Sequence, residues 1–337
     1  MEFRLKALTP IWTGGVKGEN DELHVTGIKG SIRWWYEVLI RGLDCYACDP
    51  TAEGHCELNP KKLDRDQPLA PQIKKQICPV CYMFGCTGWS SKIILKLKEP
   101  GTSRPIRSFS SREIAFQLHF LEQKKIDPEE KLLLKMTLKL IVNHGAIGGK
   151  TIFKPSEIKY KNTKLHHRDF GILTRDVRSD LPKEKIQTDE ITPYMEEFKK
   201  KKGNNKPEWP DMKYFWFVKG KHINRLQHNQ LVGRDANGNY KDTVNEAGIF
   251  LGGFISREKS SFDQKVQEKY NDKNSASKKI FSFIGTGNKD CRIERCFGYI
   301  RAGDDDDLDS FIKNLDFSQL AFKENDIIKG YVLIKNL

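Results

Sequence analysis

Residues 26–43 read Thr26-Gly27-Ile28-Lys29-Gly30-Ser31-Ile32-Arg33-Trp34-Trp35-Tyr36-Glu37-Val38-Leu39-Ile40-Arg41-Gly42-Leu43. At helical spacing Ile28, Ile32, Trp35 and Leu39 share one stripe, which predicts a core-facing helix. Lys29 and Arg33, four apart, fall on another face with Trp34 beside them. A glycine-rich loop, Trp12-Thr13-Gly14-Gly15, lies upstream. Glycine backbone, two cations and aromatic surface at one helix N-terminus suit a polyanion with stackable rings. The same residues also suit a plain core helix with solvated basic side chains.

Outward from this helix the chain reads as α+β. Residues 2–8 alternate Phe3, Leu5 and Ala7 with Arg4 and Lys6, as a half-buried strand does, and Thr9-Pro10 ends it. Residues 92–98 read as a second strand. Residues 131–142 place Leu132, Leu134, Met136, Leu138, Leu140 and Val142 on alternate positions, which predicts a long strand with a basic exposed face. An aromatic strand is expected at 213–218, further strands at 279–285, 292–301 and 327–335, and a short acidic-start helix near 305–316. Basic loops are expected at 101–112 and 160–178. The strands group into two α+β units, 1–175 and 176–337. Mobile loops are expected near 196–207 and 258–279.

The 337 residues are 38% hydrophobic and 31% charged, and 58 Lys and Arg against 45 Asp and Glu leave a net charge of +13. That excess favours an acidic partner, nucleic acid first. No apolar run approaches the roughly 20 residues that cross a bilayer. The opening residues alternate like a strand and lack an apolar signal core, so we expect a soluble cytoplasmic protein with reduced cysteines.

Residues 44–90 carry six of the eight cysteines: Cys45, Cys48, Cys56, Cys78, Cys81 and Cys86. Two Cys-x-x-Cys knuckles a few tens of residues apart resemble a zinc ribbon, because each puts two thiolates on one tetrahedral metal. Spacing alone leaves open which four bind, and His55 is nearby. Four protein ligands leave no open position, so such a zinc would be structural. Cys291 and Cys296 read as ordinary thiols.

The turn Gly145-Ala146-Ile147-Gly148-Gly149-Lys150-Thr151 suggests a phosphate loop, but that pattern needs glycine at position 144, which is His144. A nucleotide triphosphatase is therefore not expected, although such a turn can still hold a phosphodiester. His144 as the general base of an endoribonuclease lacks an evident partner. The Asp304–Asp307 run reads as a solvated helix start.

Several of these stretches resemble one family. Residues 9–15 and 28–37, Tyr46-Ala47-Cys48-Asp49-Pro50-Thr51, residues 78–89 and Gly148-Gly149-Lys150-Thr151 resemble the first RAMP subunit of the Cmr effector complex. That complex is the type III-B CRISPR assembly, which uses a guide RNA against foreign RNA. The resemblance is dense over 9–155 and thin beyond it. It implies two ferredoxin-like (RRM-type) units with a cysteine-rich insertion at 44–90 in the first. It implies a non-catalytic RNA-binding subunit near the guide's 3′ region, with other Cmr subunits as partners. It implies a metal on Cys48, Cys56, Cys78 and Cys81, with Cys45 the rival to Cys56. The expected RNA contacts are Trp12, Gly14, Gly15, Lys29, Arg33, Trp34, Trp89, Lys92, Lys150 and Lys154. Other readings are a metal-independent endoribonuclease of guide processing and a protein-interaction scaffold.

Overall fold

The computed structural model describes residues 1–14, 22–106, 114–149, 151, 169–182, 189–198, 203–206, 209–224, 226–227, 279–286, 292–300, 308–313 and 317–337. The fold is α+β with two antiparallel four-stranded sheets. The first half runs β1 (Glu2–Ala7), α1 (Val25–Gly42), α2 (Leu69–Gln76), α3 (Pro79–Phe84), β2 (Ile93–Lys98), β3 (Ile114–Glu122), α4 (Pro128–Asn143) and β4 (Leu173–Arg175). Its sheet order is β2-β3-β1-β4. With α2 and α3 set aside as an insertion, the chain order is βαββαβ, the ferredoxin-like arrangement.

The second half continues with α5 (Thr192–Glu196), β5 (Phe215–Lys219), β6 (Lys279–Thr286), β7 (Arg292–Tyr299), α6 (Leu308–Lys313), β8 (Ile327–Lys329) and α7 (Gly330–Ile334). Its sheet order, β6-β7-β5-β8, repeats the first in strand sequence. Most of the connection from β5 to β6 lies outside the described residues, as do the loop at 258–278 and the Asp304–Asp307 run.

The predicted helix stripe holds: Ile28, Ile32, Trp35 and Leu39 are all buried. The helix does more than cover one sheet. Trp35 sets its ring 5.9 Å from Phe215 and 5.4 Å from Phe297 of the second sheet, and its Nε1 donates to Ala146 O at 2.8 Å. One continuous core therefore joins Phe3, Leu5 and Phe116 of the first sheet to Phe215, Phe217 and Phe297 of the second. The far side of the second sheet, with Trp216, Val218 and Cys296, packs a smaller core with Leu308, Phe311 and Ile312 of α6.

Two strand expectations are corrected. Residues 131–142 are not a strand but the body of α4. That helix is buried over much of its length, and only Lys131, Lys135 and Lys139, four apart, mark its helical period against the leucines. Its start signal is local: Asp127 and Glu130 form a capping box and Pro128 sits in the first turn. The expected strand at 327–335 ends after Lys329, and α7 follows. Gly330 packs so closely that a Cβ there would lie 1.8 Å from Met212 O.

Arg295 of β7 ties the halves together. It is 3% exposed and its guanidinium donates to the carbonyls of Ile141, Val142, Gly145 and Leu173. A cation at the C-terminal carbonyls of α4 is also favoured by the helix dipole. Burial pulls its pKa down to about 10, which still leaves it charged at neutral pH. Arg295→Ala should cost about 3–5 kcal/mol in chemical denaturation, because it strands several buried carbonyls at once.

Candidate functional site

The cysteine insertion hangs from the end of α1. Arg41, 2% exposed, donates to Ala47 O at 3.1 Å and Cys48 O at 3.3 Å, and to Pro210 O at 2.8 Å, which fixes the loop that carries Cys48. Cys78 caps α3 and Cys81 lies in its first turn, so a single helical turn aims two thiols the same way. Cys56 arrives from the intervening turns, and its sulfur accepts from Cys78 N at 3.3 Å.

The Sγ atoms of Cys48, Cys56, Cys78 and Cys81 all lie within 4.8 Å of one another and all four residues are buried. The Cys48–Cys81 and Cys48–Cys78 separations are 3.5 and 3.9 Å. A tetrahedron with metal–sulfur bonds of about 2.3 Å has edges of roughly 3.8 Å, so the donor set could hold a metal ion and is compatible with zinc. Burial pushes the Cys78 thiol up, and the hydrogen bond from Cys48 raises Cys81. A divalent cation reverses that balance and lets the sulfurs ionise. All four ligands are protein groups, so a metal here holds the fold.

The rivals are elsewhere. Cys45 donates toward Met195 O at 3.9 Å, and His55 is exposed with Nδ1 3.1 Å from Ala52 O. Cys296 is buried in the smaller core of the second sheet, and Cys291 is outside the described residues.

The basic residues of α1 turn inward. Lys29 donates to Ser91 Oγ and to Ile93 O, both at 2.9 Å, and so closes the entry to β2. Arg33 donates to Glu37 at 2.9 Å, Gly85 O at 2.9 Å and Cys81 Sγ at 3.3 Å. Burial opposes its charge, but the Cys81 sulfur and the Glu37 carboxylate raise its pKa overall. It thus braces the cysteine cluster from outside. Lys92, 3% exposed, pairs with Glu130 at 2.6 Å and lies 3.9 Å from the Tyr82 ring centre. Lys29 and Arg33 are half-exposed and Lys92 is buried, and each of the three has an internal partner.

The tryptophans are also engaged. Trp12, 8% exposed, meets Phe170 edge-on at 5.7 Å. Trp34 meets Trp35 at 4.9 Å and is half-buried. Trp89 is half-buried, stacks on Tyr82 at 5.7 Å, donates to Tyr82 O at 2.9 Å, and has the Lys124 ammonium 3.8 Å from its ring centre. Gly15, Lys150 and Lys154 lie outside the described residues.

The structure does assemble the glycine segments. Gly149 N donates to Trp12 O at 2.7 Å, and Gly148 N to Ser31 Oγ at 3.0 Å. Thr13 Oγ1 accepts from His24 N at 3.0 Å at the start of α1. Gly148 has φ +86°, and a Cβ there would lie 2.5 Å from Trp12 O. Gly30 and Gly149 are exposed, and α1 has no acidic residue in its first turn. Beside this junction, His144 packs edge-on to Phe217 at 5.5 Å. Burial first, then Arg295 and Lys219, hold its imidazole down at about 3, which makes it a weak general base.

Residues 4–153 match the model of the RAMP superfamily. No curated protein matches the chain. The matched RAMP segment runs from β1 through the glycine junction and includes α1, the cysteine cluster and α4. The match covers 150 of the 337 residues, the part that holds β1 to β3 of the first sheet, the cysteine cluster and the glycine junction. No helix among the described residues is long and apolar enough to cross a membrane.

Two residues that shape the site escaped the sequence reading, Arg41 and Glu130. The capping-box position of Glu130 and the Glu37–Arg41 spacing were their only local signals.

The purified chain should carry about one metal ion by elemental analysis. Cys81→Ser should remove it and lower Tm by about 10 °C or more, whereas Cys45→Ser should retain it. Lys29→Ala combined with Arg33→Ala should lower Tm by several degrees, since both side chains close internal contacts.

Proposed function

We propose that the chain is a non-catalytic RNA-binding subunit of a Cmr-type, type III-B CRISPR ribonucleoprotein of cytoplasmic antiviral defence. It contacts the 3′ region of the guide RNA, the target RNA or both, beside other Cmr subunits. The observation that carries this reading is that the RAMP match spans the junction where the loop at Gly14, the start of α1 and Gly148-Gly149 come together. Glycines there keep side chains out of the way, so a phosphate backbone can approach the main chain and the positive end of α1. Lys150 and Lys154 follow directly in sequence, and the net charge of +13 favours the same partner.

The suppressed basicity of His144 supports a binding role over cleavage. In this reading the four-cysteine site takes zinc, which locks the insertion against α1.

The test is binding of single-stranded RNA by the purified chain at two salt concentrations with chelator present. Binding should fall steeply with salt and the RNA should stay intact. Gly30→Glu adds a carboxylate into open space on the exposed side of α1. It should weaken RNA binding about tenfold, or ~1.4 kcal/mol, with Tm unchanged. Cleaved RNA would favour the metal-independent endoribonuclease. No binding at low salt would favour a protein-interaction scaffold.

A further inference from the structure

The first sheet has an outer face that the glycine junction does not use. Phe3, Leu5 and Ala7 of β1, Ile93, Leu95 and Leu97 of β2, and Phe116, Leu118 and Phe120 of β3 point into the core. The alternate positions point the other way. They are Arg4 and Lys6 on β1, Ile94, Lys96 and Lys98 on β2, and Gln117 and His119 on β3. Ile94 and Lys96 are exposed, while Arg4, Lys6, Lys98 and His119 are half-exposed.

The register orders these side chains. Lys98 lies opposite Gln117, and Gln117 opposite Arg4. One row away, Lys96 lies opposite His119, and on the other side Lys6 lies opposite Ala115. The four cations thus form an oblique band from the edge strand β2 across β3 to β1. Outward positions are about 6.8 Å apart along each strand, and Lys98 and Arg4 lie two strand spacings, roughly 9.5 Å, apart across β3. The central strand adds none: Gln117 is neutral, and burial together with Lys98 lowers the His119 pKa. Of the nearby carboxylates, Glu122 pairs with Lys131 at 3.2 Å and Glu2 lies 3.4 Å from His119.

We propose that this outer face binds the phosphate backbone of single-stranded RNA, as a contact surface separate from the glycine junction. The proposal rests on the RNA-binding reading above and extends it. Lys96, Lys98 and Arg4 neutralise phosphates of the strand, with the buried Gln117 lying between Lys98 and Arg4. Among the described residues of the face there is no Phe, Tyr or Trp for base stacking, so it holds the strand without choosing its sequence. Among the described residues its apolar content is Ile94, Leu121 and Ala115, too little for the desolvated centre of a protein interface. That favours RNA over an acidic protein.

The experiment measures binding of a labelled oligouridine by the full chain across a salt series, for wild type and for Arg4→Ala/Lys96→Ala/Lys98→Ala. Three lost phosphate contacts should flatten the slope of log K against log salt by about 2. The charge-preserving Arg4→Lys/Lys96→Arg/Lys98→Arg should keep the wild-type slope. A folded alanine variant with wild-type slope and affinity, alongside a weakened Gly30→Glu, overturns this proposal and leaves the RNA-binding reading standing. A wild-type chain that binds no RNA at low salt overturns both. If the alanine variant fails to fold, Lys96→Glu at its exposed position replaces it, and an unchanged slope there overturns the proposal equally.

Discussion

Helix α1 has a sheet on each flank, and from Trp35 to Gly42 every residue in it is buried. Beyond Trp35 the helix has no solvent side on which to place charge, so Glu37 and Arg41 must meet partners inside. Glu37 lies 2.9 Å from Arg33 and 3.7 Å from Arg41. Arg41 then directs its remaining donors to the carbonyls of Ala47, Cys48 and Pro210. The place of the cysteine loop is thus a consequence of how a buried arginine is satisfied. Arg33 does the same on the other side of the cluster, where it reaches Cys81.

This burial also explains what the sequence disclosed and what it withheld. The stripe Ile28, Ile32, Trp35 and Leu39 was legible because the period of the apolar residues survives even when the opposite flank is covered as well. Strands β1, β2, β6 and β7 were legible because period-two alternation or an aromatic run bounded by polar residues marks them. Helix α4 was not, because its leucines and methionine happened to fall on even positions and outweighed the four-residue spacing of Lys131, Lys135 and Lys139. The capping box at Asp127 was the better guide. The internal partners of the cations were hidden for a different reason. Lys29 finds Ser91 across 62 residues and Lys92 finds Glu130 across 38, and local spacing carries no information about such partners. The cysteines stand between: their spacing showed two knuckles, but only the fold sets Cys56 beside Cys78 and takes Cys45 toward Met195.

The protein places its charge in different ways. Inside, cations are paired one by one and serve geometry. On the outer face of the first sheet they stand in register on β2 and β1, on either side of β3. The glycine junction belongs to neither pattern, because it works through backbone and the absence of side chains. These are three distinct ways for a basic chain to meet its surroundings, and only the inner one is fully accounted for by folding.

The shared helix has a consequence for how the chain matures. Arg295 closes on Ile141, 154 positions away, and Trp35 waits for Phe297. During synthesis the first sheet can form early, but one flank of α1 stays bare until β7 has emerged. Contacts this distant in sequence close slowly, and the uncovered aromatic surface is sticky in the meantime. The nascent first half is therefore a transient client for any apolar surface nearby, and completion of the second sheet is what ends its exposure.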